Sequence, residues 1–245
     1  VIPLSGALQS SRVQPQVALS YKIQRAVSDA VTNYGSNYGW ETMYFPRENQ
    51  LWLNVPTSAT ERQQYVMNTI TESWCRFTGW DANCFELFND TLYQGGANVV
   101  YQSWTGDGDQ YWLNDGAGTR TADIQGNLQQ AFSYMKGPAQ LKRFTMMRPI
   151  FSATTPNPPV LAGLNINFST STPVSTLTGT VTGTTAWDTT AWNVAPWAGS
   201  FNIVDGWQGA QGLGYCCSPH YVVNTQGLGI RLMSTDIVYE IGGVL

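Results

Sequence analysis

Apolar and polar positions recur with two different periods along this chain, and the change of period divides it. Over residues 17–34, Ile23, Val27, Ala30, Val31 and Tyr34 fall at helical spacing and line one stripe of an amphipathic helix. Pro15 stands near its start and Gly35 just past its end, the usual asymmetry of helix termini. That stripe needs a cover, either the chain's own domain or a partner subunit. From 40 to 104 the period shortens to that of strands separated by polar turns. Leu92 to Trp104 reads as a hairpin, with Gly95-Gly96-Ala97-Asn98 between Leu92-Tyr93 and Val99-Val100-Tyr101. Residues 105–127, with Gly, Asp, Asn and Thr and no sustained periodicity, read as a linker loop between two domains.

Beyond the linker the pattern is again that of strands. Leu128 to Tyr134 is ambiguous between a short helix and a strand, and Gly137-Pro138 turns the chain. Lys142 to Phe151 alternates, with Arg143, Thr145 and Met147 on one face and Phe144, Met146 and Arg148 on the other. Leu164, Ile166 and Phe168 keep one phase within Leu161 to Ser169. A Ser/Thr/Gly stretch over 169–186 reads as a flexible excursion or an exposed hairpin. Trp187 to Trp197 then concentrates tryptophan, and Gly-rich strands run on to Ile237-Val238-Tyr239-Glu240-Ile241. Antiparallel strands with Gly turns and no alternating helices fit a β-sandwich-like domain over 128–245.

A repeat is superimposed on this pattern. Gly39-Trp40 and Gly79-Trp80 lie 40 residues apart. The first is followed by Met43-Tyr44-Phe45, the turn Glu48-Asn49-Gln50 and Leu51-Trp52. The second is followed by Cys84-Phe85, the turn Asn89-Asp90-Thr91 and Leu92-Tyr93. Between them, Gln64 to Ile70 and Trp74-Cys75-Arg76-Phe77 flank the turn Thr71-Glu72-Ser73, so each period holds four short strands, as a β-propeller blade does. The predicted organisation is therefore an N-terminal arm and helix over 1–39, propeller-blade repeats over 40–104, the linker over 105–127 and the sandwich-like domain over 128–245. Trp52 and Tyr93 are predicted to hold equivalent places in successive blades.

Composition narrows the function. Only 11% of residues are charged against 13% aromatic, where about a quarter charged is usual for soluble domains. Such a surface suits a chain whose outer faces are covered by neighbours. The net charge of -4 argues against general nucleic-acid binding, which needs a basic patch; the local cluster Lys136, Lys142, Arg143 and Arg148 is too small to reverse that. No apolar run approaches the ~18–20 residues of a bilayer span. Val1-Ile2-Pro3-Leu4 lacks the features of a signal peptide, and the missing initiator Met implies residues upstream.

Candidate chemistry is sparse, and no catalytic, cofactor-binding or metal-ligating residue is predicted. The single His, His220 in Ser218-Pro219-His220-Tyr221, has no neighbouring acid or nucleophile motif and reads as a structural histidine. Asp107-Gly108-Asp109 with Asn114-Asp115-Gly116 departs from EF-hand spacing and reads as turn chemistry. Cys75, Cys84, Cys216 and Cys217 form no C-x-x-C pair and read as free thiols. Gly209 to Gly214 and Gly227 to Gly229 lack the setting of a phosphate loop and read as strand or bulge glycines. Trp187, Trp192, Trp197 and Trp207 could form a sugar-stacking platform, or instead plug a core or a subunit interface. A glycan-cleaving enzyme would need two carboxylates at catalytic separation, and nothing selects such a pair among the 16 acidic residues.

Several segments resemble, as a set, the C-terminal part of tail-tube proteins of short-tailed bacteriophages, of the nozzle or packaged-DNA-stabilisation kind. They are Val66-Met67-Asn68-Thr69, Ser73-Trp74-Cys75-Arg76-Phe77-Thr78-Gly79-Trp80, Leu92-Tyr93-Gln94-Gly95-Gly96, Val99-Val100-Tyr101, Lys142 to Phe151 and Tyr239 to Leu245. The resemblance covers roughly residues 35 to 245. It implies a non-enzymatic virion component below the portal and adaptor proteins, assembled in the host cytoplasm. It also implies a propeller-containing ring, most simply a hexamer, around a channel through which DNA passes without sequence-specific binding. This chain departs from the family's multi-blade propeller in carrying at most two blades. The alternative is a carbohydrate-binding receptor module on a phage tail.

Overall fold

In the computed structural model, residues 18–96, 98–106, 108–112, 119–155, 157–177, 180–182 and 202–242 are described. The chain is mainly β, with one α-helix among these residues. It divides into two compact units between Thr105 and Gly106.

In the first unit a 3-10 turn, Leu19–Ile23, leads into α1 (Gln24–Tyr34). Ala30 is buried at the centre of the helix's contact face, with Ile23, Ala26, Val27 and Tyr34 around it, against Leu53, Val55 and Tyr65 of the adjacent sheet. The helix thus covers its own domain. Val31, one position and about 100° round from Ala30, is 53% exposed and does not belong to the stripe. Gly35 keeps a helical φ of -60° and donates its N–H to the Val31 carbonyl at 2.9 Å.

Seven strands follow, all antiparallel to their neighbours. β1 (Glu41–Phe45), β2 (Gln50–Pro56), β3 (Arg62–Asn68) and β4 (Trp74–Thr78) form a four-stranded meander in chain order, and β5 (Cys84–Phe88), β6 (Thr91–Gly95) and β7 (Val100–Gln102) a three-stranded one. Trp52 pairs with Met43 and Val66 on one face of the first sheet, while Leu53 pairs with Tyr65 on the other. The Leu53 face lies under α1. The Trp52 face packs on Ala82, Phe85 and Leu92. Because both faces are covered, β2 is buried at every position from Trp52 to Pro56 and shows no alternation.

The two Gly-Trp pairs play matching parts. Gly39 and Gly79 have φ of 112° and 86°, a region favouring glycine. Trp40 then packs into the cluster between α1 and the first sheet, and Trp80 into the cluster between the first sheet and the second. Phe88 pairs with Thr91, so Asn89-Asp90 is a two-residue hairpin loop; both residues have positive φ, 49° and 59°, as a type I′ turn requires. The predicted equivalence of Trp52 and Tyr93 is out by one residue. Each stands third in the second strand of its sheet, but in β6 it is Leu92 that is buried, and Tyr93 is only half-buried. A one-residue offset along a strand exchanges its faces.

In the second unit the predicted linker holds strands. β8 (Asp109–Trp112) and β9 (Thr119–Ala122) form a hairpin, and β10 (Ile124–Gln129) begins before residue 128. Pairing partners supply the order that periodicity lacks: Ile124 to Gln129 lie along Thr225 to His220, and Ser133 bridges Cys217, so Leu128 to Tyr134 holds a strand end and an isolated bridge and no helix. The remaining strands are β11 (Lys142–Ala153), β12 (Val160–Ile166), β13 (Thr180–Thr182), β14 (Asn202–Asp205), β15 (Gln208–Gly214), β16 (Cys217–Thr225) and β17 (Ile230–Ile241). One sheet has the order β10-β16-β12. The other has β13-β14-β11-β15, with β17 along the opposite edge of β11.

The two sheets share a core of Met147 and Phe151 (β11), Val204 (β14) and Ala210 (β15) against Val160 and Ala162 (β12) and Tyr221 (β16). Register shifts between Phe144 and Met146 in the pairings of β11 with β15 and with β17 mark a β-bulge. The predicted alternation therefore slips: Phe144 and Met147 are both buried and Met146 is 40% exposed. Phe168 also leaves its predicted phase. It lies beyond the end of β12 in a turn, 61% exposed. Gly212 and Gly214 serve as close-approach glycines, since a Cβ at either would collide with Ile166 of β12.

Candidate functional site

Polar and aromatic candidates sort by what surrounds them. His220 is buried on β16, its Nε2–H donating to Asn127 Oδ1 at 2.8 Å. Its Nδ1 lies 3.2 Å from Asn165 Nδ2 and 3.0 Å from the Ser171 carbonyl. Ser171 Oγ donates to Asn165 Oδ1 at 2.9 Å. This network fastens the segment after β12 back over the sheet, where Pro173 sits on Gly163. The ring's partners are amides and a carbonyl, so His220 holds a strap in place.

The four basic residues near β11 do not share a face. Arg148 donates from Nε to Asp236 Oδ2 at 3.0 Å and from Nη2 to the same oxygen, with Asp205 at 3.7 Å and the Trp207 ring 5.0 Å from its guanidinium carbon. Trp207, one of the four tryptophans weighed between a sugar platform and a core or interface plug, is thus engaged by a cation. Trp187, Trp192 and Trp197 lie outside the described residues, as do Asp107 and Asn114-Asp115-Gly116. Arg143 and Lys136 are exposed. Lys142, by contrast, is fully buried, and its Nζ donates to the carbonyls of Gly137, Gln140 and Tyr215.

The cysteines are unpaired thiols. Burial pushes the Cys217 thiol up to about 11, the neighbouring Cys216 adding to the rise and Lys142 opposing it. Burial also raises Cys75: the residue as a whole is exposed, yet its Sγ turns inward, 3.5 Å from the Val66 carbonyl. Among the described residues no group of His, Cys, Asp and Glu could hold a metal ion.

Lys142 leads to a feature that sequence reading missed. The backbone it gathers borders an open depression of about 450 Å³ lined by Tyr134, Pro138, Asn167, Phe168, Tyr215 and Cys216. Tyr134, Phe168 and Tyr215 are 40%, 61% and 46% exposed. Phe168 stacks at a tilt on Phe132, with ring centroids 4.8 Å apart, and meets Tyr134 edge-on at 6.5 Å. Asn167 Oδ1 accepts the Tyr215 N–H at 2.8 Å, joining the two walls. Asn167 and Phe168 have φ of 50° and 62°, a conformation in which a bulky aromatic is an outlier. Three turns from separate parts of the chain thus present aromatic rings to one hollow. The only sequence signal for it is aromatic residues at turns, where solvent exposure is expected.

Comparison with protein-family models gave no match, and no curated protein matches the chain.

Proposed function

We propose that the chain is a structural, non-catalytic component of a bacteriophage tail, a nozzle or hub ring below the portal and adaptor proteins. In this reading it forms part of the DNA exit channel and helps retain the packaged genome. Identical copies associate in a ring, most simply a hexamer, assembled in the host cytoplasm and carried in the virion. The observation that supports this best is the layering of the first unit. Two consecutive antiparallel meanders stack face to face, each preceded by a Gly-Trp pair whose Trp plugs the junction with the layer before. Blades of a propeller stack in this way, and four of the six segments carrying the resemblance lie on or beside these strands. In the second unit, the two sheets that share one core support the sandwich-like reading.

An acidic chain with few cations suits a channel wall along which DNA slides, since little holds its phosphates. No described helix is long and apolar enough to cross a membrane. The experiment is the mass of the full-length protein by light scattering, together with labelling of purified particles by an antibody to the chain. A cyclic oligomer found at the tail is the expected result. A stable monomer absent from particles overturns the reading.

A further inference from the structure

We infer that the hollow between Tyr134, Phe168 and Tyr215 is a saccharide-binding site for a neutral hexose-containing glycan. Its lining selects the ligand by chemistry. None of the six lining residues carries a charge, so phosphate, nucleotide and acidic ligands find no counter-ion there. The exposed surface is aromatic rather than aliphatic, and an aromatic face carries negative potential that attracts the polarised C–H groups on one side of a sugar ring. The polar side chains among the lining residues are neutral: Tyr134, Tyr215 and Asn167, whose Oδ1 already accepts the Tyr215 N–H. A flat apolar face with a rim of neutral hydrogen-bonding groups is what a pyranose presents in complement. The volume of about 450 Å³ lies in the range of small-molecule sites, ~300–1,000 Å³.

The site is also held open before any ligand arrives. The buried Lys142 ammonium draws the Gly137, Gln140 and Tyr215 carbonyls onto one centre, which fixes the Pro138 wall against the Tyr215 wall. Phe168 is kept outward by a backbone in the left-handed region, and its ring is braced from behind by Phe132. Residues held in sparsely populated conformations cluster at ligand-binding positions. Preorganised aromatic walls lower the ordering cost of binding. Lys142 acts here as a positioning residue, reaching the ligand only through the carbonyls it holds.

The test is calorimetric titration and saturation-transfer NMR of the whole chain with short gluco-, galacto- and manno-oligosaccharides. At least one should bind, with Kd on the order of millimolar or tighter. Phe168→Ala and Tyr215→Ala should each weaken it about tenfold, or ~1.4 kcal/mol, while Phe88→Ala, an exposed aromatic of the first unit, leaves it unchanged. Phe168 is 61% and Tyr215 46% exposed, so the melting curve should hold; if one variant fails to fold, Tyr134→Ala takes its place. Binding by none of the oligosaccharides, or binding unaffected by these substitutions, overturns the assignment. So does capture of an aromatic peptide in place of every sugar, which would make the hollow a peptide-docking site. None of these outcomes bears on the ring, whose test is mass and location.

Discussion

Tyr221 illustrates how much a single side chain reports about the core around it. It is 1% exposed, packs edge-on against Phe151 at 5.5 Å, and shares a 2.6 Å hydrogen bond with Thr235 Oγ1. Burial pushes its phenol up to about 12, the bond to Thr235 offsetting part of the rise. In the unfolded chain the phenol returns to about 10, so on raising the pH the unfolded chain loses this proton first. The stability Tyr221 contributes is therefore complete below pH ~10 and is lost as the pH rises toward ~12, on the order of 2–3 kcal/mol in all. Thermal melts across that range should fall steeply for the native chain and less steeply for Tyr221→Phe. Such a residue is only half legible in the sequence. A Tyr followed by Val222-Val223, all residues that favour strands, announces a strand, but its partners, Phe151 and Thr235, are distant in the chain.

At the scale of elements, strands were easier to find than their faces. The helix over Gln24–Tyr34 and the run of strands from Glu41 to Gln102 follow from period and turn chemistry. What local pattern does not carry is the effect of a second neighbour. β2 reads as a short apolar run because it is covered on both sides, and β11 changes phase at a bulge that only its partners β15 and β17 define. The hollow escaped for the same reason: Tyr134, Phe168 and Tyr215 sit in three turns, and nothing local says which turns meet. Trp52 is where the layering of the first unit is most concentrated. It is fully buried and touches Phe77, Trp80, Phe85 and Trp104 at centroid distances of 5.3 to 5.8 Å. Trp52→Ala should cost about 3–5 kcal/mol by cavity formation, read as a lower denaturation midpoint. Trp207→Ala, which loses an exposed cation–π contact, should cost about 1 kcal/mol or less.

For the whole molecule, the low charge of the sequence takes a specific form. On the outer face of the five-stranded sheet Met146 and Val238 are cross-strand neighbours, 40% and 41% exposed, and Ile203 and Leu213 are exposed as well. This is apolar surface of the kind that associating subunits cover. If the ring forms through this face, Val238→Asp combined with Met146→Asp should reduce the light-scattering mass from oligomer to monomer while leaving the melting temperature within a few degrees. Composition says that little of the surface can be charged but not where its apolar part lies, because exposure depends on which face of β11 turns inward after the bulge.

The order helix, four-stranded sheet, three-stranded sheet has a consequence for how such a chain can change over time. Each layer of the first unit touches only the layers beside it, through a cluster that its own leading tryptophan completes. A duplicated stretch of chain beginning at a Gly-Trp pair would arrive with its own plug for the junction with the layer before it. Adding or removing a layer at the end of the stack then leaves the remaining junctions as they are, so the number of layers can change without redesign of the rest of the core.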